Sequence, residues 1–252
     1  MPSKYRIGQI VPSSNTTMET EIPAMLRARE SVLPEEQFTF HSSRMRMQKV
    51  TKDELAAMDA QADRCALELS DARVDVIGYA CLVAIMSMGA GYHKTSEQRL
   101  TAVARDKAPA TEVVTSAGAL LQGMETIQAR KVAIVTPYMK PLTRMVVDYI
   151  ENEGYEVVDA ISLEIDDNLA VGARDPMALV DIAARLNVGS ADAIVLSACV
   201  QMPSLAAVQV VESRMERPTL SAATSTVYAM LSRLGLQRTV PSAGYLLSGK
   251  FA

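Results

Sequence analysis

Short runs of consecutive apolar residues rich in Val and Ile alternate along this chain with longer stretches whose apolar positions recur at helical spacing. That alternation predicts parallel strands joined by crossover helices, an α/β fold. Arg6-Ile-Gly-Gln-Ile-Val-Pro12 reads as a strand ending in proline, and Lys131-Val-Ala-Ile-Val-Thr-Pro137 repeats it. Val74-Asp-Val-Ile-Gly-Tyr-Ala-Cys81 is echoed by Ala191-Asp-Ala-Ile-Val-Leu-Ser-Ala-Cys199, two buried-type strands that start near an Asp and end in Ala-Cys. A third pair sets Val114-Thr-Ser-Ala-Gly-Ala119 beside Leu220-Ser-Ala-Ala-Thr-Ser225, each ahead of a helical stretch. Three landmarks in one order in both halves imply a duplication: two pseudo-two-fold-related lobes, each a small parallel sheet flanked by helices. The expected boundaries are 1-117 plus 222-252 for the first lobe and 118-221 for the second, with the carboxy-terminal helix returning to the first.

Helix signals fill the gaps. Thr51 and Glu54 have the spacing of a capping box ahead of Leu55, Met58, Ala62, Cys65 and Leu69, which share one helical face and make Cys65 a core residue. Lys140-Pro-Leu opens a helix that Gly154 closes, and Asp175-Pro176 predicts an N-cap followed by proline in the first turn. Thr16 and Glu19 are spaced for a further capping box.

Composition narrows the function. Apolar residues make up 49% of the 252 positions and charged residues 21%, ordinary values for a globular protein. No apolar run reaches the roughly 20 residues that span a bilayer, and Pro2-Ser-Lys-Tyr-Arg lacks the apolar core of a signal peptide, so a cytoplasmic protein is expected. A net charge of −4 without Lys/Arg clusters argues against nucleic acid and anionic membranes and leaves a small ligand. Three dispersed Cys and two His have no zinc-site spacing, so any cysteine chemistry is thiol chemistry, with no metal and no organic cofactor expected.

Ligands of parallel α/β sheets bind beyond the carboxyl ends of the strands, where Pro12 to Thr17, Cys81, Pro137-Tyr138 and Cys199 all fall. A free Cys is usually a small buried hydrophobe, but two at matched ends of duplicated strands, facing each other across a cleft, point to chemistry. Val11-Pro-Ser-Ser-Asn-Thr-Thr-Met-Glu19 offers either anion-binding groups at a helix start or simple caps. Tyr138 either donates to a ligand oxygen or packs, Asn168 reads equally as a turn residue, His93 as a solvated loop residue, and the fifteen Met as core filler.

Together, Val11-Pro-Ser-Ser-Asn-Thr-Thr-Met-Glu19, Gly78-Tyr-Ala-Cys81, Val135-Thr-Pro-Tyr138, Asp167-Asn168 and Leu196-Ser-Ala-Cys199 resemble the aspartate/glutamate racemase superfamily, most closely its maleate cis-trans isomerase branch. The resemblance implies an active site between two α/β lobes, Cys81 as nucleophile, Cys199 as its acid/base partner, and Asn15, Tyr138 and Asn168 as holders of the substrate carboxylates. It implies cofactor-independent conversion of maleate to fumarate through a succinyl-cysteine-like adduct, a homodimer or higher homo-oligomer, and a setting in the breakdown of pyridine-type aromatic acids. Backbone N–H groups around Cys81 are expected to stabilise its thiolate. Rival readings are an amino-acid or hydantoin racemase using both thiols as an acid/base pair, which needs an acceptor for the substrate ammonium, and a silent dicarboxylate-binding protein, whose binding would survive loss of both Cys. A decarboxylase of the superfamily usually needs one site cysteine.

Overall fold

A computed structural model describes residues 2–48 and 50–251, the side chain of Lys52 excepted. Its strands form two four-stranded parallel sheets of identical topology. In the first, β1 (Ser3–Pro12) lies between β2 (Glu36–Met45) and β3 (Val76–Tyr79), and β4 (Glu112–Thr115) closes the far edge. In the second, β5 (Lys131–Thr136) lies between β6 (Glu156–Ser162) and β7 (Ala193–Ser197), with β8 (Thr219–Ser221) beyond. The order β2-β1-β3-β4 recurs as β6-β5-β7-β8, so the duplication read from the sequence is a duplication of topology. Central strands are buried on both faces, as Ile7, Ile10 and Val11 show, and that is why they read as continuous apolar runs.

The crossover helices of the first half are α1 (Met18–Glu30), α2 (Lys52–Asp59), α3 (Ala62–Asp71), α4 (Leu82–Ser87), α5 (Tyr92–Ala104) and α6 (Ser116–Thr126). Those of the second are α7 (Lys140–Asn152), α8 (Asn168–Gly172), α9 (Ala178–Ala183), α10 (Leu205–Met215) and α11 (Ala222–Arg233). The face of Leu55, Met58, Ala62, Cys65 and Leu69 is buried as its period predicts, yet the chain breaks at Ala60 and Gln61, so two helices share it. Asp175 caps a turn at Met177 and the regular helix starts only at Ala178, two residues later than proline placement predicts.

Helix α11 follows the second sheet but packs on β3, β4 and α1 of the first, and it also lies along α6. Gly78 makes the close approach possible, because a Cβ there would run into the Met230 Cε of α11. At the opposite side of the joint, α4 packs against α7. These two helices begin just after Cys81 and Tyr138, so the halves meet where the candidate residues leave their strands.

Candidate active site

Four strand ends converge. Pro12 ends β1, Cys81 stands two residues beyond β3, Tyr138 two beyond β5, and Cys199 two beyond β7. Every residue singled out as catalytic or substrate-binding, Cys81, Cys199, Asn15, Tyr138 and Asn168, lines one cavity, along with Pro12, Met47, Val50, Val83, Val200 and Gln201. That cavity measures about 20 Å³, room for roughly one water. It adjoins a groove of about 540 Å³ that shares Val50 and Tyr138 with it and continues past Met139 and Asp167.

Cys81 sits at the N-cap of α4 with φ 89° and ψ 71°, in the left-handed region that side chains other than Gly and Asn rarely occupy. Burial pushes its thiol up to about 12, and the nearby Cys199 and Asp59 add to the rise, while the Ala84 N–H opposes it. The expected backbone stabilisation is therefore present but outweighed, and in this closed arrangement Cys81 is a thiol. Cys199 is also raised by burial, against the Tyr138 hydroxyl and the N–H groups of Gln201 and Met202, which favour its thiolate. The Tyr138 hydroxyl donates to the Ala198 carbonyl at 3.3 Å, and burial, followed by coupling to the neighbouring Cys199 and Cys81, holds it well above the usual phenol range.

Asn15 does the capping that Thr16 and Glu19 were expected to do. Its Oδ1 accepts the N–H groups of Thr17 and Met18, both at 2.9 Å, whereas Thr17 at the N-cap makes no side-chain cap bond. With Oδ1 committed to α1, the Nδ2 of Asn15 is the group left for the cavity. Asn168 opens α8 behind the cap of Asp167, and its Nδ2 donates to Ser14 Oγ at 2.8 Å, joining the two halves. Neither is a plain turn residue.

The charged network near Cys81 was not foreseen. Asp59 is buried and accepts from Tyr79 (3.1 Å), Tyr92 (2.6 Å) and Arg99 (3.0 Å), tying the end of β3 to α2 and α5. Nothing in the sequence marks it, because its partners are 20 to 40 positions away. Gln201, which also lines the cavity, is a second residue that the sequence reading missed. His93 is a correction: it is buried in α5 with Nδ1 2.6 Å from the Tyr149 hydroxyl, away from the cavity, where a solvated loop residue was expected. Among the described residues, no charged side chain lines the cavity itself, and no three His, Cys, Asp or Glu side chains converge as a metal site would need.

The arylmalonate decarboxylase family profile matches residues 7–247. A maleate isomerase of Geobacillus stearothermophilus is 61% identical over 251 residues, covering all of both chains. Among solved structures, a cysteine-to-alanine variant of the maleate isomerase of Pseudomonas putida S16 with maleate superposes with a TM-score of 0.97, at 61% identity over 99% of each chain. The maleate cis-trans isomerase of Nocardia farcinica, in a cysteine-to-serine variant with a covalently bound succinylcysteine intermediate, gives 0.92 at 46% identity, over 97% of this chain and 98% of that one. With matching strand ends, two opposed thiols and full-length similarity in agreement, the chain belongs to the maleate isomerase family.

Proposed function

We propose that this chain converts maleate to fumarate, with Cys81 as nucleophile and Cys199 as acid/base partner. The observation that carries the assignment is the single cavity walled by one thiol from each half, with Asn15, Tyr138 and Asn168 around it. Rotation about a carbon–carbon double bond needs that bond to become single. Cys81 gives up its proton to water, its thiolate sulfur forms a C–S bond to one alkene carbon, and the π pair moves to the other carbon and its carboxylate. Cys199 protonates that carbon, the central bond turns, Cys199 takes a proton back, and the C–S bond breaks to release fumarate. The thiolate released at the end takes a proton back from water. A bound succinylcysteine in the Nocardia relative is an adduct of this kind.

The cavity is far smaller than a four-carbon dicarboxylate, so its walls separate to admit substrate, and the burial that keeps Cys81 protonated is relieved at that moment. Neutral donors hold the carboxylates: the Asn15 and Asn168 amides and the Tyr138 hydroxyl. Neutral holding leaves the adduct free to turn, where a bidentate Arg clamp would fix both ends. Among the described residues the lining offers no carboxylate to accept an ammonium, which speaks against an amino-acid racemase.

The test is proton NMR of maleate incubated with the protein. Fumarate should form in the wild type, and Cys81→Ala should lower turnover by at least about 10³-fold, as expected for loss of a nucleophile. Near-normal turnover in that variant would overturn the assignment of Cys81. Exchange of an amino-acid α-proton without fumarate would move the chain to racemase chemistry. A second copy of the chain is the partner expected from the family resemblance, and sedimentation at micromolar concentration tests it.

A further inference from the structure

Gln201 follows Cys199 by two residues, is 3% exposed, and uses both ends of its side-chain amide at the joint between the halves. Its Oε1 accepts the Thr16 N–H at 2.8 Å. Its Nε2 donates to the carbonyls of Ser14 (3.2 Å) and Asn168 (2.7 Å). Its own carbonyl accepts the Thr17 hydroxyl at 2.7 Å, and its backbone N–H points to the Cys199 sulfur. The residues on both sides of Asn15, the main chain of Asn168 and the thiol of Cys199 are therefore all tied to one residue.

We propose that Gln201 is a positioning residue that sets the spacing between the carboxylate-holding amides of Asn15 and Asn168, contributed by opposite halves of the chain. The inference rests on the site assignment above and deepens it. An amide suits this place because it both accepts and donates: the Thr16 N–H needs an acceptor, and the two carbonyls need donors. A carboxylate would face both carbonyls without a proton, and an apolar side chain would remove these bonds from all three backbone groups. Gly172, the last residue of α8, supplies the room. A Cβ there would come within 2.5 Å of the Gln201 Nε2 and of Thr16 Oγ1.

Gln201→Met keeps the length and removes every side-chain bond. Its KM for maleate should rise about tenfold or more, the effect of losing roughly one well-made hydrogen bond's worth of substrate holding, with kcat within about threefold of wild type. Alkylation of Cys81 by iodoacetamide, which needs neither amide, should keep its wild-type rate. In an Asn15→Ala background the same replacement should add less than about threefold, because the amide it positions is gone. An unchanged KM, or penalties that multiply in full, would overturn the proposal. Should Gln201→Met not fold, Gly172→Ala carries the test: it displaces the amide without altering it, suits a helix, and should give the same split between KM and kcat. If the wild type does not isomerise maleate, the proposed function fails, and calorimetric titration of maleate into wild type and the two variants then decides this proposal: about tenfold weaker binding in the variants supports it, and no difference overturns it.

Discussion

Cys81 is held in a backbone conformation that costs on the order of 1–3 kcal/mol for a residue with a Cβ, and the cost is met by its surroundings. Tyr79, two residues earlier, is anchored to Asp59, and Ile85 and Ala84 return their N–H groups to the Cys81 carbonyl. The same burial that holds the residue raises its thiol to about 12. Below that value the thiolate fraction grows tenfold per pH unit, whereas an ordinary cysteine levels off above about 8.5. Alkylation of Cys81 in the substrate-free protein, followed by peptide mass spectrometry, should therefore rise about tenfold per unit between pH 7 and pH 10. A plateau setting in near pH 8.5 would show that the site does not hold the proton.

At the scale of elements, the halves are joined by a helix cap given in trans. Glu21, on α1, is buried, and its Oε1 accepts the N–H groups of Ser204 and Leu205, each at 2.6 Å, at the start of α10. Burial raises this carboxyl, outweighing the two backbone bonds and the Ser204 hydroxyl that favour its charge. A folded-state pKa above the unfolded one means that its contribution is complete below about 4.5 and is lost as pH rises through the folded value. Glu21→Gln keeps an acceptor and sheds the charge, so it should be at least as stable as wild type at pH 7, with any advantage fading as the pH falls through the folded value and gone below about 4.5. Glu21→Ala leaves both N–H groups unpaired and should lose about 1.5–3 kcal/mol in urea unfolding at pH 7. Equal stability of the Ala variant and wild type would show that water replaces the carboxylate and that the cap does not join the halves.

Across the whole molecule, the segment after α11 is tied back to the first sheet by Arg29. Its side chain is fully buried, with Nε and Nη2 on Glu36 at 2.6 and 2.8 Å and Nη1 on the carbonyls of Gln237 and Thr239, both at 2.7 Å. Breaking a buried pair by removing one partner costs about 3–5 kcal/mol, a large share of a typical domain's stability. Arg29→Met should lower unfolding stability by about that amount and expose the last residues to limited proteolysis, while kcat of the folded fraction stays near wild type. Loss of less than about 1 kcal/mol would mean that the carboxy-terminal segment holds itself in place. No described helix is long and apolar enough to cross a membrane.

The sequence by itself determined the duplication and the four central strands β1, β3, β5 and β7, whose ends carry the candidate residues, but not the edge strands β2 and β6. Those features are local: Val/Ile runs that end in Pro or Ala-Cys declare a buried strand and the position where it stops. It also made Cys65 a core residue through helical period alone. Only the tertiary structure decided that Asn15 caps α1, that Asp59 braces the strand ahead of Cys81, that His93 is buried against Tyr149, and that Gln201 reaches the loops of both Asn15 and Asn168. Each of these depends on a polar partner brought near by folding. Hydrophobic periodicity records which face of an element is buried, and says nothing about which distant polar group waits on the other side.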